Sequence, residues 1–233
     1  MAVTARGQPI VIYGASGFSL AIREMVTDGL TPGAIDVVAH IDDTIGDTGQ
    51  TLAELPIIGF ETWRAHYREY ACIVGISDCT ARRRLADRVA SAGGRFLTAW
   101  PPIGTVSGRS TFGEGTIIGA PFYLGPLTRI GRHVLAMPMG VIGHDVVIGD
   151  CCTLCSAANI SGYVEIEDEV FIGASAVVVN GTRARPLRIG RGARIAAGAV
   201  VTKSVDAGAT VIGNPAREIR DIARSGRIGG KPL

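Results

Sequence analysis

The sequence predicts a small N-terminal α/β parallel-sheet domain followed by a parallel β-solenoid built from hexapeptide repeats. Three observations carry that prediction. Apolar residues recur every six positions from Val106 to Val178, and strand–turn–helix patterns alternate through the first part of the chain. The 233 residues include 32 glycines but only 6% aromatics, which favours short strands and tight turns over a bulky core.

In the N-terminal part, the apolar run Pro9–Tyr13 reads as a strand that ends in Gly14-Ala15-Ser16-Gly17. A helix follows, with Leu20, Ile22, Met25 and Val26 on its apolar face. Asp36–Ile41 is a second strand, ending in Asp42-Asp43. Ala71–Ile76 is a third, leading through Ser77-Asp78 into a helix that carries Leu85, Ala86 and Val89. Such alternation implies a Rossmann-like parallel sheet with ligand sites at the carboxyl ends of its strands. A glycine turn entering a helix offers free N–H groups to anionic oxygens. Ser16 stands where a full dinucleotide fingerprint has its middle glycine, however, so a plain tight turn remains an open alternative. Asp42 and Asp43 could accept hydrogen bonds from a ribose or a base. Phe96–Ser107, with Pro101-Pro102, reads as the transition to the solenoid. The implied division is 1–100 for the sheet domain, 101–215 for the solenoid and 216–233 for a C-terminal tail.

In the solenoid, stepping by six from Val106 through Phe112, Ile118, Leu124 and onward to Val178 meets an apolar residue at all thirteen positions. At 113, 119, 125, 131, 143, 149 and 173 the next residue is glycine, read as the residue that lets the backbone bend. Three six-residue units close a triangular coil of 18 residues, and stacked coils pair their strands in parallel. The phase breaks between Val178 and Ile189, then resumes at Ile195 and Val201. Asn180–Arg188, with Pro186 inside, is expected to be a loop ejected from one corner.

Several function classes are excluded or disfavoured. The net charge of +2, without a long basic run, argues against a nucleic-acid partner. No apolar stretch is long enough for a membrane span, and the N-terminus lacks a signal-peptide layout. The five cysteines show no disulfide-framework spacing, which fits a cytoplasmic chain. Cys151, Cys152 and Cys155 occupy repeat positions where small buried side chains fit, so no metal is expected.

Among four histidines, His144 is followed by Asp145. Adding one coil of 18 residues to 144 reaches Gly162, so Gly162 should lie ~5 Å above His144 on the same face. An imidazole beside a backbone N–H can serve acyl transfer, as base for the nucleophile and donor for the oxyanion. A merely solvated His–Asp pair is the competing reading. A solenoid carbonic anhydrase would need three histidine ligands, and the repeats contain only His133 and His144. A non-enzymatic scaffold is the remaining alternative.

The turn Tyr13-Gly14-Ala15-Ser16-Gly17, the pair Asp42-Asp43, the stretch His144–Asp150, Phe171–Ala174, and the tail Val201-Thr202-Lys203 with Gly213–Ala216 together resemble the NeuD/PglD-type hexapeptide-repeat acyltransferases. The resemblance covers nearly the whole chain. It implies a left-handed β-helix, a homotrimer with active sites between subunits, and acetyl-CoA as cosubstrate. It also implies acetylation of a nucleotide-linked amino-deoxysugar, with sialic acid or another sugar hydroxyl as the alternative acceptor. His144 becomes the general base, Asp145 its partner and Gly162 the oxyanion donor. Acetyl-CoA would pass Thr153, Ala174 and Ala197; the nucleotide would contact Ser16, Gly17, Phe18, Asp42, Asp43 and Ser77. The family commonly has His where this chain has Phe18, Gly where it has Ser77 and a second His where it has Thr153. The 181–186 loop is longer than the family pattern and is expected to alter the CoA channel.

Overall fold

The computed structural model describes residues 7–28, 33–101, 104–225, 227–228 and 231–232, so Pro102 of the predicted transition lies outside the described residues. Its N-terminal sheet has the order β3-β4-β2-β1-β5, with β1 at Gln8–Tyr13, β2 at Ile35–Ile41, β3 at Thr51–Leu52, β4 at Leu55–Ile58 and β5 at Ala71–Val74. The three expected strands run parallel as β2-β1-β5, one side of this sheet. The antiparallel β3–β4 hairpin, which the apolar pattern did not predict, extends it at one edge. Helices α1 (Gly17–Thr27), α2 (Phe60–His66) and α3 (Cys79–Ser91) flank it. Asp78 starts α3 by accepting a hydrogen bond from the Ala81 N–H at 2.8 Å.

From Gly104 to Ile212 the chain winds into a left-handed β-helix with three faces. Register partners are 18 residues apart, as in Arg129↔Val147, Val141↔Asn159 and Thr153↔Phe171. Each stepped aliphatic residue closes its short strand and points into the prism; Ile118, Leu124, Ile142, Ile160 and Ile172 are fully buried. Removing such side chains from water stabilises the coil by ~1.5–3 kcal/mol each.

The glycines that follow the strands do not supply the bend. Left-handed backbone falls two residues later, at His133, Asp145, Cys151 and Tyr163 among others. The glycines are needed instead because the next coil crosses them: a Cβ on Gly113 would lie 2.5 Å from the Arg132 nitrogen. The predicted break is real but shorter. Leu187–Ile189 is a strand, and Ile166 pairs with Ile189, five residues beyond the usual spacing.

The two parts share one packed boundary. Ile10, Ile12, Ile22 and Met25 join Ile117 and Leu135 of the solenoid in a single apolar cluster. The face that receives them contains Leu135–Ala136, Thr153–Leu154 and Phe171–Ile172, and is termed the docking face. The segment expected to be a transition is paired on both sides. Phe96 bridges to Cys72 of β5, and Ala99 bridges to Ile117 of the solenoid.

Arg82, fully buried on α3, crosses this boundary. Its guanidinium donates to the carbonyls of His133 at 2.8 Å, Cys151 at 2.7 Å and Ile76 at 2.5 Å. Beside it, Arg83 pairs with Asp168 and Glu169 of the outer coil corner.

His133 lies beneath the same boundary, edge-on to Phe96 at 4.5 Å, with its Nδ1 buried and unpartnered. Burial, followed by the charges of Arg132 and Arg82, lowers its pKa from 6.5 to about 4. The folded chain therefore binds this proton less readily than the unfolded chain. The contribution to stability is complete above pH 6.5 and is lost as pH falls towards 4, in total about 3 kcal/mol. Urea midpoints should drop across that window, and His133→Leu should flatten the slope. An unchanged slope in the variant would assign the acid sensitivity to other groups.

Candidate active site

His144 occupies the corner between the strands Val141–Ile142 and Val147–Ile148, the corner opposite the docking face. Gly143 brings the next coil close, since a Cβ there would sit 2.8 Å from the Gly162 nitrogen. Asp145 takes the left-handed turn position, φ 55°, which Asp tolerates better than most residues. Its N–H donates to the Pro126 carbonyl at 3.1 Å, tying the corner to the coil below.

The Asp145 carboxylate lies 2.8 Å from Nδ1 of His144. An ionised carboxylate only accepts, so Nδ1 carries the proton and Nε2 keeps its lone pair. Gly162 lies directly over this ring: an added Cβ would be 2.8 Å from both Cε1 and Nε2. The Gly162 N–H donates to no acceptor among the described residues. A basic nitrogen, an orienting carboxylate and an uncommitted backbone donor thus share one corner, half open to solvent.

Tyr163 also belongs to this corner, although the sequence analysis did not single it out. Its ring stands edge-on to His144 at 5.0 Å, and its N–H donates to the His144 carbonyl at 3.2 Å. The eighteen-residue step from Asp145 to Tyr163 was the signal that could have found it. Gly162→Ala should leave the fold intact, because Ala suits coil turns, but push the imidazole aside. Turnover should fall about tenfold to a hundredfold, with an unchanged far-UV spectrum. Wild-type turnover in that variant would show that the ring does not need this seat.

The residues expected to line an acetyl-CoA path divide. Ala174 and Ala197 are exposed and stack on adjacent coils, with the Gly198 N–H donating to the Ala174 carbonyl. Thr153 is withdrawn from such a path. It is fully buried on the docking face, and its hydroxyl donates to the Ser77 carbonyl at 3.0 Å. The α/β domain covers it because α3 and the Ser77 turn rest there.

Ser16, Gly17, Asp42, Asp43 and Ser77 do gather at the carboxyl end of the N-terminal sheet. A Cβ on Gly17 would meet nothing within 4 Å. Phe18 packs partly buried against the apolar cluster of the boundary. Both carboxylates are already engaged, which narrows their expected role. One oxygen of Asp42 accepts from the N–H groups of Thr44 and Ile45. Asp43 is held by the Tyr13 hydroxyl and by Arg88, both at 2.8 Å. Arg88 also lies over the Phe60 ring at 3.7 Å. Arg88 carried no local sequence signal. His40, fully buried, donates from Nδ1 to the Gly14 carbonyl at 2.9 Å and so fixes the turn.

Burial pushes the Cys151 thiol up to about 11, so no thiolate nucleophile arises there. Among the described residues no group of His, Cys, Asp and Glu could hold a metal ion. Likewise, no helix among them is long and apolar enough to cross a membrane.

A hexapeptide-repeat β-helix with a His–carboxylate pair facing a free N–H is an arrangement suited to acyl transfer. Comparison with known proteins specifies the family. The model of the PglD N-terminal domain matches residues 9–89. The GDP-perosamine N-acetyltransferase of Escherichia coli O157:H7 is 39% identical over 175 residues, spanning 72% of this chain and 79% of its own. WeeI from Acinetobacter baumannii AYE superposes with a TM-score of 0.74 at 32% identity, covering 91% of this chain and 100% of that one. PerB from Caulobacter crescentus, solved in complex with CoA and GDP-perosamine, superposes with a TM-score of 0.76 at 25% identity, covering 92% and 98%. The chain belongs to the NeuD/PglD-type acyltransferase family.

Proposed function

We infer that this protein transfers the acetyl group of acetyl-CoA to the amine of a nucleotide-linked amino-deoxysugar. The observation that carries the reading is the corner where His144, oriented by Asp145, meets the free N–H of Gly162. The acceptor class rests on the relatives, which are named for GDP-perosamine N-acetylation or solved with that sugar nucleotide.

In the reaction, the sugar amine attacks the thioester carbonyl and forms a carbon–nitrogen bond. Nε2 of His144 takes the proton that the amine loses, while Asp145 holds the resulting imidazolium. The Gly162 N–H receives the developing oxyanion. Collapse breaks the carbon–sulfur bond, and the departing sulfur leaves as free CoA thiol after regaining a proton. Ala174 and Ala197 stand at another corner, between the strands Phe171–Ile172 and Val177–Val178, so acetyl-CoA passing them reaches the His144 of a neighbouring copy.

The sheet domain, residues 1–100, holds the nucleotide near Ser16, Gly17 and the free oxygen of Asp42. That site belongs to the docking face, whereas His144 stands at the opposite corner of the prism. One chain therefore does not bring the two together. A homotrimer, in which the sheet domain of one copy faces the solenoid of the next, joins them. The exposed ladder of Tyr123 and Val141 beside His144 suits such a contact.

The test is a panel of nucleotide-linked aminosugars incubated with acetyl-CoA and read by thiol release. Turnover with at least one such amine is expected. Release only with sialic acid, or with no sugar amine, would overturn the reading.

A further inference from the structure

The one interruption of the solenoid grows directly from the acyl-transfer corner. The Gly181 N–H donates to the Gly162 carbonyl and the Leu187 N–H to the Tyr163 carbonyl, each at 3.1 Å. The five inserted residues are thus rooted on the coil that covers His144. They form a closed hairpin: Thr182 and Arg185 exchange both backbone hydrogen bonds at 3.0 Å. The Thr182 hydroxyl accepts a further bond from the Arg185 N–H at 3.0 Å. Pro186 follows, limiting the chain where it rejoins the coil.

Two exposed arginines, Arg183 and Arg185, stand on this hairpin, and neither has an ion-pair partner among the described residues. Three other solenoid arginines are instead held by carboxylates. Arg188 is paired with Glu165, Arg191 with Glu169 and Arg132 with Asp150. A rigid turn that holds two unpaired guanidinium forks is preorganised for a bidentate oxyanion such as phosphate.

We propose that the Thr182–Arg185 hairpin is a pyrophosphate clamp, with Arg183 and Arg185 gripping the diphosphate of the sugar nucleotide whose amine reaches His144. Resting on the acetyltransfer reading, it adds the residues that select a diphosphate-linked sugar over a free one. Distance favours this source of pyrophosphate over CoA. The hairpin begins two coils from His144, ~10 Å along the stack. In a nucleotide-linked aminosugar one hexose ring separates the amine from the diphosphate. In acetyl-CoA the whole pantetheine arm separates the thioester from its phosphates, a span longer than the ~10 Å to the hairpin.

The experiment is steady-state kinetics on the full chain, varying the sugar nucleotide and acetyl-CoA in turn. Three forms are compared: wild type, Arg183→Ala/Arg185→Ala and Arg183→Lys/Arg185→Lys. The alanine pair should raise KM for the sugar nucleotide about tenfold or more, and KM for acetyl-CoA should stay unchanged. The lysine pair should recover part of the loss. Inorganic pyrophosphate should compete with the sugar nucleotide on wild type and lose that effect on the alanine pair. An unchanged sugar-nucleotide KM, or a rise confined to acetyl-CoA, overturns the clamp. Failure of the wild type to acetylate any sugar amine instead overturns the acetyltransfer reading itself, so the two failures are distinguishable.

Discussion

Replacing His144 with alanine is expected to lower turnover by ~10²–10⁴-fold while leaving the fold unchanged. The imidazole is half exposed at a coil corner, and its removal opens no core cavity. Every backbone contact of that corner, including the Tyr163 N–H to the His144 carbonyl, survives the substitution. The loss should therefore appear in kcat at saturating substrates, because the proton is taken only as the carbon–nitrogen bond forms. His144→Asn provides a control. It preserves size and a polar tip but lacks a basic nitrogen, so it should be nearly as slow as alanine. Activity within a few fold of wild type in either variant would remove His144 from the chemistry.

The second large effect concerns stability. Arg82→Met keeps much of the side-chain volume but removes the donors to the carbonyls of His133, Cys151 and Ile76. The His133 and Cys151 carbonyls are bonded in a buried boundary, so each loses a partner that solvent cannot readily replace, whereas that of Ile76 is only partly buried. A loss of about 3–5 kcal/mol is expected, most of a typical domain's margin. Urea unfolding followed by circular dichroism would measure it. A shift under 1 kcal/mol would mean that the carbonyls find other donors and that apolar packing alone holds the two parts together.

How much of this was legible in the sequence depended on range. The solenoid is nearly one-dimensional, so each residue's neighbour lies one coil away and counting finds it. That is why Gly162 could be set over His144 before any coordinates. The same counting misread the strand-following glycines, because apolar periodicity reports which side chains face inward but not where the backbone turns. Contacts between the two parts have no period. Arg82 meets His133 51 residues away and Cys151 69 residues away. The family resemblance put Thr153 on an acetyl-CoA path; only the α/β domain resting on that face shows it to be sealed. Asp43 likewise looked free for a ligand, since nothing local reveals that Arg88, 45 residues on, reaches it.

The double pairing of the transition segment has a consequence for how substrates are captured. Phe96 is stitched to β5 and Ala99 to the strand at Ile117, so the chain from Phe96 to Ala99 contains no free hinge. The α/β domain cannot swing towards or away from the prism without breaking sheet hydrogen bonds. In the proposed homotrimer, the gap between one copy's sheet domain and the next copy's His144 is therefore set by assembly and not by motion of the domain on its own prism. Such an assembly would work as a gauge: a sugar nucleotide too long or too short for the span would reach only one end of it.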